Sequence, residues 1–256
     1  MRARFIAILA TVAATCAACG SSALAVATPS ALSGSITVYA ASSLTAGFKA
    51  AASNFQKAHQ GTAIDFNFAG SPTLVAQIQQ GAMGDVFASA DQPNMQKLVD
   101  AGLVEGAPMV FARNKLAIVV GPGNPKRISA LADLGRQGLV VVLCGPTVPC
   151  GRYGMQALAN AGVKVVPASL ETDVKSVVSK VALGEADAGI VYLTDIKAAG
   201  TTVTGISIPD GQNVVASYPI GVLKGTQNSS LAKAFIAYLL SADGQNTLAS
   251  FGFTSP

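Results

Sequence analysis

The chain has 256 residues, of which 50% are apolar and only 12% are charged, so it is not a disordered protein and can build a sizeable core. Seventeen basic and thirteen acidic residues give a formal charge of +4 with no Lys/Arg cluster, which argues against nucleic acid as a partner. One His and four Cys argue against an elaborate metal site.

The N-terminal residues have the pattern of an export signal. Arg2 and Arg4 precede a run of uncharged, mostly apolar residues that ends in small ones. The run is shorter than the ~20 residues that a membrane-spanning helix needs. We therefore predict a signal peptide over residues 1–18 and a Ser/Ala/Pro tether over residues 19–33.

Two cleavage sites compete in this region. The segment 17–22 resembles a bacterial lipoprotein lipobox, in which Cys19 becomes the lipid-modified first residue, although Cys16 stands where that motif usually has an aliphatic residue. The alternative is an ordinary small-residue site with cleavage after Ala25. The lipobox, which we favour, predicts an exported protein anchored to the membrane in the periplasmic space.

From Ser35 onward, short β-rich runs alternate with helical stretches, which is typical of βαβ units and an α/β fold. A strong turn signal at 121–125 interrupts the alternation, which then restarts. Strands are predicted at 36–40, 63–68, 86–88, 115–120, 139–143, 163–166, 188–192, 203–208 and 214–223. Helices are predicted at 44–58, 72–80, 93–101, 152–161, 174–183, 230–240 and 242–251.

Two successive α/β units with a late return predict two lobes between which the chain crosses twice, near 111–116 and 218–222. Lobe 1 would comprise residues 34–112 and 222–256, and lobe 2 would comprise residues 113–221. The cleft between two lobes is the usual position for a small ligand.

Small and hydroxylated residues lie in the turns between predicted strands and the helices that follow them. Ser43 and Ser71 follow the first two strands, and the segments 148–151 and 171–174 open two later helices. The first turn of a helix carries unpaired N–H groups and partial positive charge, so it binds anions without Lys or Arg. A serine at such a turn is more often only a cap, but the combination predicts an anion site.

Six segments resemble, in the same order, the molybdate-binding proteins of bacterial ABC importers. They are 36–45, 68–74, 84–91, 148–151, 173–174 and 189–195. The resemblance runs from about residue 34 to residue 253 and implies the two-lobed periplasmic-binding-protein fold of type II. It also implies capture of molybdate, with tungstate as a second ligand, and delivery to an ABC permease by a monomeric protein.

The resemblance also implies a ligand set with neutral donors. Ser43 and Ser71 would each offer a hydroxyl and a backbone N–H, Cys150 and Val174 would offer backbone N–H groups, and Tyr192 would donate its hydroxyl. Ser42 is a nearby alternative to Ser43, and Gly70 departs from a position that often carries a hydroxyl. No cofactor is expected, and molybdenum would be present only as the bound oxyanion, with no direct bond to the protein.

Cys144 and Cys150 flank the third of these turns. In an exported protein the pair predicts a disulfide; two separate thiols are the alternative, and the lack of a nearby His argues against metal binding.

Two other functions compete with molybdate capture. One is a receptor for another tetrahedral oxyanion such as sulfate. The other is an acyl-transfer enzyme, because Ser230 and Lys233 have Ser-x-x-Lys spacing. The companion motifs are missing and the pair begins an amphipathic helix, so we expect no enzyme.

Overall fold

The computed structural model describes residues 32–256, so the predicted signal peptide, Cys19, the cleavage site after Ala25 and most of the tether lie outside the described residues. The strands are β1 Gly34–Ala41, β2 Thr62–Ala69, β3 Val86–Ala88, β4 Val104–Val120, β5 Val141–Cys144, β6 Ser169–Glu171, β7 Ala188–Tyr192, β8 Thr204–Ser207 and β9 Val215–Leu223. The α-helices are α1 Thr45–Ala58, α2 Ser71–Gln79, α3 Gln92–Asp100, α4 Pro149–Asn160, α5 Val174–Ala182, α6 Leu193–Ala199, α7 Ser229–Leu240 and α8 Ala242–Ser250. Short 3-10 helices cover Ser42–Leu44, Leu131–Gly135 and Gly200–Thr202.

The strands form a mixed sheet in the order β2-β1-β3-β9-β4-β7-β5-β6, with β8 paired to β4. The long strand β4 pairs antiparallel with β9 over Val104–Lys115 and then with β7 over Leu116–Val120. The two halves of the sheet are therefore joined through β4 and β9, where the sequence predicts the two crossings. The α/β class and the two-lobed fold are confirmed, whereas the exact lobe boundaries stay a prediction.

One predicted strand is wrong. The segment 163–166 is not a strand: Val166 is 95% exposed, Pro167 has no N–H, and pairing with β5 begins only where Ala168 N donates to Val141 O. The strand in this region is β6, a few residues later.

The first half of β4 and the whole of α6 are elements that the sequence pattern does not predict. Gly106 has a positive φ of 67° and Pro108 cannot donate, and both lie where the β4–β9 register shifts. These residues are tolerated because the strand bulges there. Helix α6 follows β7 with no intervening turn, so no Gly or Pro signals its start.

The helices bury the faces that their periodicity predicts. Helix α1 places Phe48, Ala51, Ala52 and Phe55 against the sheet, and the Phe48 ring contacts Phe111 of β4 at 5.4 Å between centroids. This packing fixes the helix starts relative to the strand ends that precede them. Within residues 32–256, no helix combines the length and hydrophobicity that crossing a membrane requires.

Candidate functional site: an oxyanion cavity

A small cavity of about 10 Å³ lies where six strand-to-helix turns converge. All five residues that the resemblance assigns to the ligand line this cavity, together with seven neighbours. The lining residues are Ala41, Ser42, Ser43, Gly70, Ser71, Ala90, Val148, Pro149, Cys150, Asp173, Val174 and Tyr192. The structure thus brings together Ser43 and Tyr192, which lie 149 positions apart in the chain.

The cavity is closed by loops from opposite ends of the strand order. Gly70 follows β2 and Thr172 follows β6, yet a Cβ atom on Gly70 would collide with the Thr172 carbonyl oxygen. The φ of Gly70 is −61°, so glycine is required here by the close approach and not by backbone strain. The missing hydroxyl at this position therefore has a steric reason.

Two serines present buried hydroxyls to the cavity. Ser71 is the first residue of α2, and its Oγ accepts a hydrogen bond from Ala90 N at 3.1 Å. Because a backbone N–H can only donate, the Ser71 proton is left free for a partner in the cavity. Ser43 Oγ lies 3.1 Å from the Tyr218 hydroxyl, which is fully buried.

The Tyr192 hydroxyl is buried and has no hydrogen-bond partner within the described residues. Tyr192 is 1% exposed, and burial is the main cause that raises the pKa of its phenol well above the usual 10.0. The group therefore stays protonated at neutral pH and can donate. An unpaired buried donor costs about 1–3 kcal/mol, and Tyr192 is one of the residues that line the cavity.

Backbone groups complete the far side of the cavity. Cys150 and Val174 lie in the first turns of α4 and α5, where N–H groups have no acceptor within their own helix. The sulfur atoms of Cys144 and Cys150 are joined, with the Cα atoms 5.7 Å apart, which ties the start of α4 to the end of β5.

The carboxylates nearest the cavity are already engaged. Asp173 caps α5, accepting from Lys175 N at 2.8 Å and Ser176 N at 3.1 Å. Asp195 accepts from Tyr192 N at 3.2 Å, and the Lys175 ammonium lies 2.9 Å from Asp195 Oδ1. That oxygen lacks a well-aligned hydrogen bond, but the close ammonium provides its counter-charge. Burial raises the pKa of Asp195, and Lys175 opposes this shift.

A polar bridge that the sequence does not predict lies beside the cavity. Asp91 is fully buried at the start of α3, and the Arg152 guanidinium of α4 lies 3.2 Å from its carboxylate. Next to this pair, Asn94 Nδ2 donates to Thr147 O at 3.3 Å. The bridge joins helices from the two halves of the sheet. Asp91 ends one of the segments that carry the family resemblance, but nothing in the sequence pairs it with Arg152.

The Ser-x-x-Lys pattern lies away from the cavity. Lys233 forms an exposed ion pair with Glu105 at 2.6 Å, so its ammonium is engaged by a carboxylate. Within residues 32–256, no group of three or more His, Cys, Asp or Glu side chains is arranged to hold a metal ion.

The two-lobed α/β fold is that of a solute-binding protein. The chain matches the family described as bacterial extracellular solute-binding protein over residues 36–254 and belongs to it. Membership of a family of binding proteins supports, at the family level, the expectation that the chain is not an enzyme.

Within this family the chain is similar to proteins named for molybdate. It is 43% identical over 222 residues to the molybdate-binding protein ModA of Mycobacterium tuberculosis, covering 87% of this chain and 85% of the relative. The structure of the periplasmic molybdate-binding protein of Azotobacter vinelandii matches with a TM-score of 0.76 at 24% identity, over 86% of this chain and 99% of that one. The sulfate-binding protein SubI of M. tuberculosis matches with a TM-score of 0.77 at 20% identity, over 86% of each chain, and this likeness concerns the fold alone.

Proposed function

We propose that the protein captures molybdate in this cavity and that tungstate is its second ligand. The observation that carries the proposal is the Tyr192 hydroxyl, a buried donor that has no hydrogen-bond partner among the described residues. It belongs to a residue of a cavity that further donor-bearing residues line. Similarity to ModA proteins supports molybdate as the particular oxyanion.

The proposed ligand set comprises the hydroxyls of Ser43, Ser71 and Tyr192 and the backbone N–H groups of Cys150 and Val174. We also assign the backbone N–H groups of both serines to it. Such a set suits a fully deprotonated tetrahedral dianion, because every oxygen meets donors. A protonated oxyanion would bring an O–H that finds no free acceptor, which costs affinity.

Sulfate is the competing ligand, because it too is a fully deprotonated tetrahedral dianion. The shared fold with SubI keeps this alternative open, but the 43% sequence identity to the ModA protein of M. tuberculosis favours molybdate. The donor set does not separate the two anions, so we assign their discrimination to cavity size.

Parallel isothermal titration of the apo-protein with molybdate, tungstate, sulfate and phosphate tests the proposal. We expect molybdate and tungstate to bind at least about 100-fold more tightly than sulfate, or roughly 2.7 kcal/mol. Comparable affinity for sulfate would overturn the molybdate assignment and leave a general oxyanion receptor.

We further propose that a lipid on Cys19 anchors the protein outside the cytoplasm, where it hands molybdate to an ABC permease as a monomer. Replacing Cys19 by Ala should release the protein from the membrane fraction or block its processing. Unchanged membrane association in Cys19→Ala together with a mature N-terminus near Val26 would show that the site after Ala25 is used.

A further inference from the structure

A chain of buried polar side chains lies behind Ser43. Asn114 Nδ2 is 2.8 Å from Thr194 Oγ1 and 3.4 Å from the Tyr218 hydroxyl, which is in turn 3.1 Å from Ser43 Oγ. All four residues are at most 5% exposed. We call Asn114, Tyr218 and Ser43 the relay. Asn114 and Tyr218 lie outside the cavity lining, so neither is a candidate ligand.

The direction of each hydrogen bond in the relay follows from its first member. Lys115 N donates to Asn114 Oδ1 at 3.0 Å, which fixes the orientation of the amide. The Nδ2 group therefore faces Tyr218, and it can only donate. The Tyr218 oxygen is thus an acceptor for Asn114, and its own proton must go elsewhere.

Ser43 Oγ is the only acceptor that the described contacts give to the Tyr218 proton. If Ser43 donated instead, a fully buried phenol proton would lack a partner, at a cost of about 1–3 kcal/mol. Burial also raises the pKa of Tyr218 far above its usual value, so the proton is present at all physiological pH values. Ser43 Oγ therefore accepts from Tyr218, and the Ser43 proton is left to point into the cavity.

We infer that Tyr218, oriented by Asn114, is a positioning residue that holds Ser43 as a hydrogen-bond donor toward the bound oxyanion. This inference rests on the proposed function, because it needs an anion in the cavity. Ser43 and Ser71 are then arranged alike. The Ser43 oxygen accepts from Tyr218 and the Ser71 oxygen accepts from Ala90 N, so each hydroxyl proton is left to face the ligand.

The hydroxyl of Tyr218 can be removed without removing its ring. That ring contacts Tyr192, Phe111 and Phe253 edge-on, with centroids 5.9, 6.4 and 5.5 Å away. Tyr218→Phe keeps these contacts, and Asn114 Nδ2 keeps Thr194 as an acceptor. The variant therefore isolates the relay from the packing around it.

A double-mutant cycle tests the inference. Molybdate binding is measured by titration calorimetry for the wild type, Tyr218→Phe, Ser43→Ala and the double variant. We expect Tyr218→Phe to weaken binding about fivefold in the wild-type background and less than about twofold in the Ser43→Ala background. Tyr238→Phe, a phenol that packs on Phe55 away from the cavity, is the matched control and should leave affinity unchanged.

The alternative outcomes are distinct. Equal weakening in both backgrounds would show that Tyr218 is merely structural, and no weakening in the wild-type background would overturn the inference outright. If Ser43→Ala itself binds like the wild type, the inference fails because Ser43 gives the anion no hydrogen bond; the proposed site fails only if Ser71→Ala also binds like the wild type. Should Tyr218→Phe not fold, Asn114→Ala tests the same relay, because it removes the donor that makes Tyr218 an acceptor. A loss that disappears in the Ser43→Ala background is again expected, and a loss that persists there contradicts the relay.

Discussion

The two sides of the cavity supply donors by different means. On one side, Ser43 and Ser71 offer side-chain hydroxyls. The Ser43 oxygen is hydrogen-bonded to the Tyr218 hydroxyl, and the Ser71 oxygen accepts from Ala90 N. On the other side, Cys150 and Val174 offer backbone N–H groups at helix starts that a sulfur bridge and the Asp173 cap hold in place. Side-chain truncation deletes a donor on the first side, whereas on the second it leaves the backbone donor in place and can only loosen it. The predictions that follow test this difference, starting with the largest expected effect on molybdate affinity.

Deleting a serine hydroxyl should have the largest effect. Ser43→Ala and Ser71→Ala each remove a hydrogen bond to a charged oxygen, worth about 1.5–3 kcal/mol, or roughly 10- to 150-fold in Kd. Titration calorimetry measures the loss, and circular dichroism checks that the fold is unchanged. Ser53→Ala, an exposed serine of α1, is the control. If both variants bind like the wild type, the ligand does not lie in this cavity.

Adding a methyl group between the two closing loops should come next. Gly70→Ala places a Cβ against the Thr172 carbonyl, and such overpacking costs about 1–3 kcal/mol. If the collision exists only when the loops meet, the cost appears as weaker binding and a faster dissociation rate. Gly211→Ala is the control, because a Cβ there meets nothing within 4 Å. Unchanged molybdate kinetics in Gly70→Ala would show that binding does not require this approach.

A smaller effect is expected from the polar bridge. Arg152→Gln removes the ion pair with Asp91, whose carboxylate still accepts from Asn94 N at 3.0 Å. Arg152 is more than a third exposed, so after solvent screening the pair is worth at most about 1 kcal/mol. Dissociation of molybdate, followed by stopped-flow fluorescence or calorimetric competition, should accelerate a few-fold in low salt and less in high salt. A salt-independent effect would argue against an electrostatic bridge.

The cysteine pair should affect stability more than affinity. Closing so short a loop stabilises the fold by about 2 kcal/mol in the chain-entropy model, and Cys144→Ser/Cys150→Ser should lose this amount on denaturation. Molybdate should still bind, less weakened than in either serine-to-alanine variant, with a more unfavourable entropy because the loop is ordered on binding. Mass spectrometry of the non-reduced wild type should first show the Cys144–Cys150 link. Two free thiols in protein purified from the periplasm would refute it.

The smallest effect on binding is expected from pH. Burial raises the pKa of Tyr192 well above 10.0 and that of Tyr153 to about 12, so both stay protonated in the folded protein where an unfolded tyrosine ionises. The folded state then holds more protons than the unfolded state above about pH 10, so stability falls as pH rises through that range. Affinity should be flat from about pH 7 to pH 9. Denaturant unfolding at a series of pH values checks the first statement, and a free energy of unfolding that stays constant to high pH would contradict it.

The sequence predicted the elements that carry the site better than those that connect the lobes. Strand-to-helix turns such as 41–45 are predictable from their small and hydroxylated residues. Helices α1, α2 and α5 therefore begin within one residue of their predicted starts. The first half of β4 was missed because Gly106 and Pro108 signal a turn, and only the tertiary pairing with β9 turns that segment into a bulged strand.

The same limit applies to the site. The family resemblance selected five ligand residues, and the structure places them around one cavity, but their role as ligands stays a prediction. They are Ser43, Ser71, Cys150, Val174 and Tyr192. Tyr218 and Asp91 lie far from their partners in sequence, and although Asp91 ends a segment that carries the family resemblance, neither partner is marked by the residues around it. Their contacts with Ser43 and Arg152 exist only after folding.

The most direct test of the account is a crystal structure of the protein with molybdate. We predict molybdate oxygens within hydrogen-bonding distance of Ser43 Oγ, Ser71 Oγ, the Tyr192 hydroxyl and the backbone nitrogens of Cys150 and Val174. The buried Tyr192 proton would then have the partner that it lacks among the described residues. Molybdate bound elsewhere, or bound here with the Tyr192 hydroxyl still unpaired, would contradict the account.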